Sequence, residues 1–264
     1  MITPKYVTFV TCLDMTKGAR FSLKFYEMLV KHYDDVFPMS QDTYGFIRED
    51  LKPGDKVLDV ACGTGTYTIP LQKEGVLACG LDLEETMIEQ AVEKAEEENV
   101  SGDFVVSNML NIDLVSEGDL RRIYIIGNSL VHLKSMDEVR SFLSIAYDLL
   151  NDEGDLIIQI INYDRILSLG IDHLPTIEVP GKGITFERNY NYDVSSSTIE
   201  FASRLNVLSE SKESSVYLLP IRKDDLLKEL ENVGFKDISV YGNFKKEPFT
   251  ENSVPLIIKA RKNI

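Results

Sequence analysis

Two kinds of hydrophobic pattern alternate along the chain: short runs that are apolar at nearly every position, and longer runs whose apolar residues recur at helical spacing. Residues 56–61 belong to the first kind, with Val57, Leu58, Val60 and Ala61 suited to a strand covered on both faces. Residues 67–74 read as a helix directly after it, so Gly63, Thr64 and Gly65 form a strand-to-helix turn. Similar runs at 76–83, 103–106, 122–126 and 155–162 predict four more strands. Between them, Met87, Ile88, Ala91, Val92 and Ala95 mark the inner stripe of a helix over 84–98, and Val139, Phe142, Leu143, Ala146 and Leu150 mark another. Strands separated by helices throughout predict a parallel, doubly wound α/β sheet.

The ends of the chain read differently. Residues 1–20 have no clean periodicity, and 6–12 suit either a short strand or a helical turn. From Phe21 to Pro38, Phe25, Leu29 and Tyr33 share one helical face, and Ser40 is placed to cap a second helix through Arg48. After Gly170 the spacing changes to alternation, and 185–193, 198–208 and 215–221 read as antiparallel strands joined by polar turns. A helix over 223–234 follows, with Gly234 as its C-cap, and then two closing strands at 235–241 and 255–261. The expected organisation is one domain in four parts: an N-terminal arm and lid helices (1–43), a core (44–170), an antiparallel β insertion (171–221) and the end of the core (222–264).

Composition narrows the class of partner. The 264 residues carry a formal net charge of −15 with no basic block, which argues against nucleic acid or an anionic membrane as the main partner. No run approaches the roughly eighteen apolar residues of a membrane span, and the first twenty residues lack a leader pattern, so a cytoplasmic protein is expected. Cys12, Cys62 and Cys79 lack C-x-x-C spacing and read as small buried hydrophobes, leaving neither a disulfide framework nor a metal site.

Candidate chemistry centres on the glycine turn. Glycines at 63 and 65 allow positive φ and close approach of a ligand to the backbone, beside the free amides of the next helix. A dinucleotide fingerprint wants a third glycine where Thr68 stands, and Asp59, four residues before Gly63, would repel a pyrophosphate. The string Asp59-Val60-Ala61-Cys62-Gly63-Thr64-Gly65 resembles motif I of the class I S-adenosylmethionine (SAM) methyltransferases. SAM carries an ammonium and a sulfonium, so a carboxylate there is physically apt. Asp82 ends the second predicted strand some twenty residues past the glycines, the spacing at which an acid takes both ribose hydroxyls.

The resemblance carries further expectations. It implies a seven-stranded Rossmann-like methyltransferase sheet with a C-terminal antiparallel hairpin. It also implies SAM as cofactor, S-adenosylhomocysteine as product and no metal. Asp59, Ala61, Gly63 and Gly65 would hold the amino-acid end, Asp82, Leu83 and Met87 the ribose side, and Asn108 and Met109 the adenine, where the family often has an acid at position 108. A plain turn role for Asn108 and a core role for Met87 stay open. Gly127-Asn128-Ser129-Leu130-Val131-His132-Leu133 resembles the loop of small-molecule methyltransferases of the glycine/sarcosine N-methyltransferase type, which places the methyl group near Asn128 and Ser129. His132 and Tyr163 are the candidate catalytic or positioning residues. Tyr26 and Tyr33 are candidate lid aromatics, and Tyr33, Arg188, Tyr190 and Tyr217 are candidate substrate contacts. An arginine facing that pocket would imply a carboxylate or phosphate on the substrate. The expected function is methyl transfer to N or O of a small molecule by direct in-line displacement. The rivals are a SAM-binding regulatory protein without turnover and a protein or RNA methyltransferase. A homodimer formed through the exposed edge of the insertion is the other use of that segment.

Overall fold

Apolar strands need cover on both faces, and the chain supplies it in layers. The computed structural model describes residues 23–100 and 102–262; the expected arm over 1–20, with Cys12, lies outside them. Five parallel strands, β1 (Lys56–Val60), β2 (Leu77–Asp82), β3 (Asp103–Val106), β4 (Leu120–Ile125) and β5 (Leu150–Ile161), alternate with helices. The helices are α1 (Leu23–Lys31), α2 (Tyr33–Val36), α3 (Gln41–Arg48), α4 (Thr68–Lys73), α5 (Glu85–Glu97), α6 (Met136–Leu149) and α7 (Tyr163–Leu169). A second sheet, β6 (His173–Val179), β7 (Ile184–Asp193), β8 (Thr198–Val207) and β9 (Glu210–Leu218), is an antiparallel meander. Then α8 (Lys223–Val233), β10 (Lys236–Tyr241) and β11 (Pro255–Arg261) complete the main sheet, ordered β10-β11-β5-β4-β1-β2-β3, with β11 antiparallel to both neighbours.

Alternation along the strands sorts the core into two sides. Val57, Ala78, Tyr124, Ile157 and Ile257 face Phe46 and Ile47 of α3 and Leu71 of α4. Leu58, Val60, Ile123, Ile125 and Ile158 face Phe142, Leu143 and Ala146 of α6 and Leu226 and Leu230 of α8. Ser40 caps α3 by accepting from the Thr43 amide, and Gly234 ends α8 at φ 116°, both as the sequence predicts. A third cluster joins the added elements: Phe25 and Leu29 of α1 and Val36 of α2 pack with Ile184 and Phe186 of β7, Leu205 of β8 and Met87 of α5. Met87 lies in the first turn of α5, just past the end of β2, so this cluster sits over the C-terminal rim of the sheet.

Three expectations shift. The helix expected from Phe21 to Pro38 breaks at His32 into α1 and α2. The insertion has four strands, not three: β6 carries Pro175 and is mostly exposed, tolerable because it is an edge strand but a poor match to an alternating pattern. The last strand, expected from Ser215, begins at Glu210, since β9 starts with polar residues. Residues after β5 continue into α7, capped by Asn162, whose side chain accepts from the Arg165 amide at 3.2 Å. Among the described residues, no helix is long and apolar enough to cross a membrane.

Opposite the C-terminal rim lies a buried ionic knot. Arg122 of β4 pairs with its register partner Asp155 of β5 through Nε (2.5 Å) and Nη2 (2.6 Å), both side chains fully buried. Its Nη1 donates to the carbonyls of Ile47 and, at 2.8 Å, Glu49, where α3 ends. Lys259 of β11 stands 3.6 Å from Asp155 and 3.5 Å from Glu49. Burial pushes the Asp155 carboxyl up, but the Arg122 guanidinium outweighs it and holds the group below the usual carboxylate range. Arg122→Met removes the main counter-charge of the buried Asp155, leaving it Arg121 at 3.2 Å and Lys259 at 3.6 Å, and frees the end of α3; it is expected to destabilise the fold by about 3 kcal/mol in urea unfolding. The double change Arg122→Met/Asp155→Leu recovers most of that loss if the charge, not the packing, is responsible.

Candidate active site

The chain turns sharply after β1. Ala61, Gly63 and Gly65 have φ of 61°, 55° and 74°, a left-handed stretch that only glycine adopts freely. A Cβ at Gly63 would stand 3.2 Å from the Tyr33 ring, and one at Gly65 would stand 3.0 Å from the Phe104 ring. Asp82, closing β2, holds the turn: its carboxylate accepts the Gly63 amide at 2.9 Å and the Glu84 amide at 3.0 Å. Burial raises its pKa, and those amides pull it back. Asp59 is buried beneath the turn and accepts from the Thr68 hydroxyl (2.5 Å) and the Tyr124 hydroxyl (2.7 Å). Burial pushes its carboxyl up to about 7 against those two hydrogen bonds.

Helix α2 packs on this turn. Tyr33 packs over Gly63, and burial plus the charge of Asp82 raises its phenol well above the usual range. Tyr26 is raised by burial and by Glu84 and Asp82. Asp34 of α2 accepts from Thr64 (2.8 Å), from Thr66 (3.0 Å) and from Lys94 of α5 (2.7 Å). The buried Asp59 and the half-buried Asp82 and Glu84 thus surround a glycine turn roofed by phenols. Each raises the pKa of its neighbours, and a cationic ligand would relieve the repulsion. The residues present therefore fit a SAM-like cofactor and disfavour an anionic dinucleotide.

Around this turn Met87 is buried in the cluster with α1 and α2, while Leu83 is half exposed. The Asn108 side-chain oxygen accepts from the Leu110 amide at 2.9 Å and starts a 3-10 turn over Met109–Leu114, so the turn role is real and its amide nitrogen is left as a donor. Beyond β4, Asn128 adopts φ 69° and is fixed on both sides. Its Nδ2 donates to the Tyr163 hydroxyl at 3.0 Å, and its Oδ1 accepts the Ile161 amide at 2.9 Å. Ser129 donates to the Ile126 carbonyl at 3.0 Å. Tyr163 is buried at the start of α7, and the Tyr190 phenol of β7 acts on it electrostatically. His132 is solvent-exposed by its surface, yet the protein around its ring lowers its pKa by desolvation.

The structure thus gathers Tyr33, Asp59, Gly63, Gly65 and Asp82 at one end of the rim and Asn128, Tyr163, Tyr190 and Arg188 at the other. Tyr217 is half exposed on the outer face of β9 and joins neither group. Sequence reasoning missed Asp34, Lys94 and the two threonines, whose partners lie 30 to 60 residues away. It also read Thr68 only as a missing glycine. Among the described residues, no group of three or more His, Cys, Asp or Glu is arranged to hold a metal ion.

Fold and site together define a class I SAM-dependent methyltransferase. A family model described as a methyltransferase domain matches residues 57–154. Glycine/sarcosine N-methyltransferase from Halorhodospira halochloris is 32% identical over 209 residues, 76% of this chain and 73% of that protein. The enzyme of the same name from Aphanothece halophytica is 28% identical over 242 residues, 89% of this chain and 88% of that protein. The CcbJ methyltransferase from Streptomyces caelestis has the same fold, with a TM-score of 0.76 at 19% identity over 89% of this chain and 96% of that one. The chain belongs to the SAM-dependent methyltransferases and, within them, is related to the small-molecule group of the glycine/sarcosine N-methyltransferases.

Asp59 gives a signed prediction. Its folded pKa of about 7 lies above the unfolded carboxylate value, so the native state holds a proton that the unfolded chain lacks between those limits. The stability due to this proton is present below the unfolded pKa and is lost as pH rises through about 7. Asp59→Asn keeps an acceptor for Thr68 and Tyr124, and should stabilise the cofactor-free protein at pH 8 relative to pH 5 by about 2 to 4 kcal/mol. The same change should weaken SAM binding at pH 8. Melting curves and calorimetry at the two pH values check both signs.

Proposed function

We propose that the enzyme methylates the nitrogen of a small amine held between Asn128 and the second sheet. The observation that carries this reading is the set of carboxyl groups of Asp59, Asp82 and Glu84 around the glycine turn, beside the fixed Asn128–Tyr163 pair. The relatives are N-methyltransferases of glycine and sarcosine, which favours nitrogen over oxygen. Residues 44–170 and 222–264 serve as cofactor-binding core, the helices at the end of the 1–43 segment as lid and 171–221 as acceptor cover. The packing of β7 and β8 on α1 and α2 supports cover rather than a dimer contact for that inner face. The net charge of −15 supports a partner other than nucleic acid, and the free Cys62 and Cys79 support a reducing compartment such as the cytoplasm.

In this reading Gly63 and Gly65 give the cofactor's amino-acid end room against the backbone, with Asp59 and Ala61 beneath. Asp82 takes the ribose hydroxyls, with Leu83 and Met87 beside it, and Asn108 and Met109 take the adenine. Bound SAM supplies a methyl group on a sulfonium, already activated for transfer. The protein's share is alignment and exclusion of water. Asn128 cannot swing, because both ends of its amide are engaged, so it and Ser129 present a fixed edge to the acceptor. Tyr33 covers the turn from the lid side. His132, kept neutral near pH 7 by desolvation, can accept a proton from the acceptor's ammonium without being required for the transfer itself.

Asp82→Ala removes the ribose contact and one anchor of the turn. The expected result is a loss of SAM affinity of roughly 30-fold or more, read by calorimetry with NAD as control. Unchanged SAM affinity in this variant sinks the ribose assignment, and turnover of phenols but no amines sinks the choice of nitrogen.

A further inference from the structure

The glycine turn has no strand ladder of its own, yet its backbone is held in left-handed conformations at Ala61, Gly63 and Gly65. From the core, Asp82 fixes it by accepting the Gly63 amide at 2.9 Å. The turn also offers two hydroxyls, Thr64 and Thr66, of which Thr64 is fully buried. A buried hydroxyl is costly unless it is hydrogen-bonded. Both hydroxyls find the same atom: Asp34 Oδ1 accepts from Thr64 at 2.8 Å and from Thr66 at 3.0 Å.

Asp34 lies on α2, ahead of the main sheet in sequence. Lys94 of α5 pairs with its second oxygen at 2.7 Å and also donates to Thr64 at 3.1 Å. That ammonium offsets the charge of Asp34, so what Asp34 supplies to the turn is a fixed acceptor. Its neighbours face two ways. Tyr33 packs on Gly63, where a Cβ would stand 3.2 Å from its ring. Val36 is buried with Ile184, Phe186 and Leu205 of the second sheet, and the Phe37 ring meets the Phe186 ring edge-on at 5.5 Å. Asp35 pairs at 2.5 Å with Lys182 in the turn between β6 and β7, an exposed contact that contributes little beside the apolar ones. One short helix therefore carries both a support of the glycine turn and an anchor on the second sheet.

We propose that Asp34 is a positioning residue for the cofactor: by holding Thr64 and Thr66 it sets the shape of the glycine turn from outside the core, and through α2 it ties that shape to the second sheet. The inference goes beyond the N-methylation reading and involves no methyl acceptor; it rests on SAM binding at the turn. Asp34 acts through the two threonines, not by contact with SAM. Glycines at 63 and 65 give the turn more backbone freedom than other residues would. Without its outer hydrogen bonds the turn samples other shapes, and apparent affinity falls by the fraction of molecules that hold the competent one.

The test reads S-adenosylhomocysteine binding to the full-length protein, by calorimetry and by the gain in melting temperature. Asp34→Ala should weaken binding about tenfold, and Asp34→Asn, which keeps an oxygen for the hydroxyls, should restore it to within about threefold. Asp35→Ala removes a carboxylate from the same helix and should change affinity by about twofold or less, which separates positioning from loss of negative charge. Thr64→Val with Thr66→Val should copy the Asp34→Ala loss, and adding Asp34→Ala to that pair should cost little more. In hydrogen exchange, the ligand should slow residues 181–184 of wild type, and much less those of Asp34→Ala at saturation. Unchanged affinity in Asp34→Ala, equal losses in Asp34→Ala and Asp35→Ala, or losses that add fully with the threonine changes would overturn the positioning role. A lower melting temperature of the free protein with the ligand-induced gain intact would overturn it too, and assign Asp34 to stability alone. Exchange at 181–184 that ignores the ligand in wild type would overturn the tie to the second sheet.

Discussion

One carboxylate holds two loops together at the edge of the sheet. Asp82 accepts the amide of Gly63 from the turn after β1 and the amide of Glu84 from the start of α5. Neither loop has a ladder of its own there, and both must stay open toward a ligand. Because the anchor is an anion at the C-terminal rim, everything placed above it either tolerates negative charge or neutralises it. Burial, with the charge of Asp82 adding to it, holds Tyr33 and Tyr26 as neutral phenols, and Lys94 meets α2 through Asp34.

What the sequence shows clearly are the features whose physics is local. An uninterrupted apolar run such as 57–61 can only be a covered strand, the glycines at 63 and 65 answer a backbone requirement, and Asp82 is legible because the β2 rise fixes its distance from them. The turn role of Asn108 was legible too, since its partner is two residues away. The rest depends on partners distant in sequence. Asp34 touches Thr64 across 30 residues, and Arg122 reaches Ile47 across 75. Alternation says that Arg188 and Tyr217 lie on some face of a strand, but not which face is buried. Only the register against β8 and the packing of α1 decide that Arg188 turns inward and Tyr217 outward. β6 was missed for the same reason: an exposed edge strand with a proline has no local signature that packing has not yet supplied.

The two rims of the sheet treat charge in opposite ways, and the contrast separates scaffold from site. At the N-terminal rim Arg122 is fully engaged, with Asp155 on one side and the end of α3 on the other, and Lys259 balances Glu49 and Asp155. Nothing there waits for a ligand, so its role ends with stability. At the C-terminal rim the charge of Asp82 adds to burial in raising the pKa of both Asp59 and Glu84, while Arg188 lies inward with a buried, unpartnered Nε. Such opposite unbalanced charges could have been paired with each other, which would have stabilised the empty fold. Instead an aromatic chain links their surroundings: Tyr33 packs on Gly63, its ring stands 5.2 Å from Phe37 and Phe37 stands 5.5 Å from Phe186, whose ring lies 6.0 Å from the Arg188 guanidinium. Rings packed in this way are rigid and apolar, so in the empty fold Arg188 rests over a ring face and does not neutralise the carboxylates around the glycine turn.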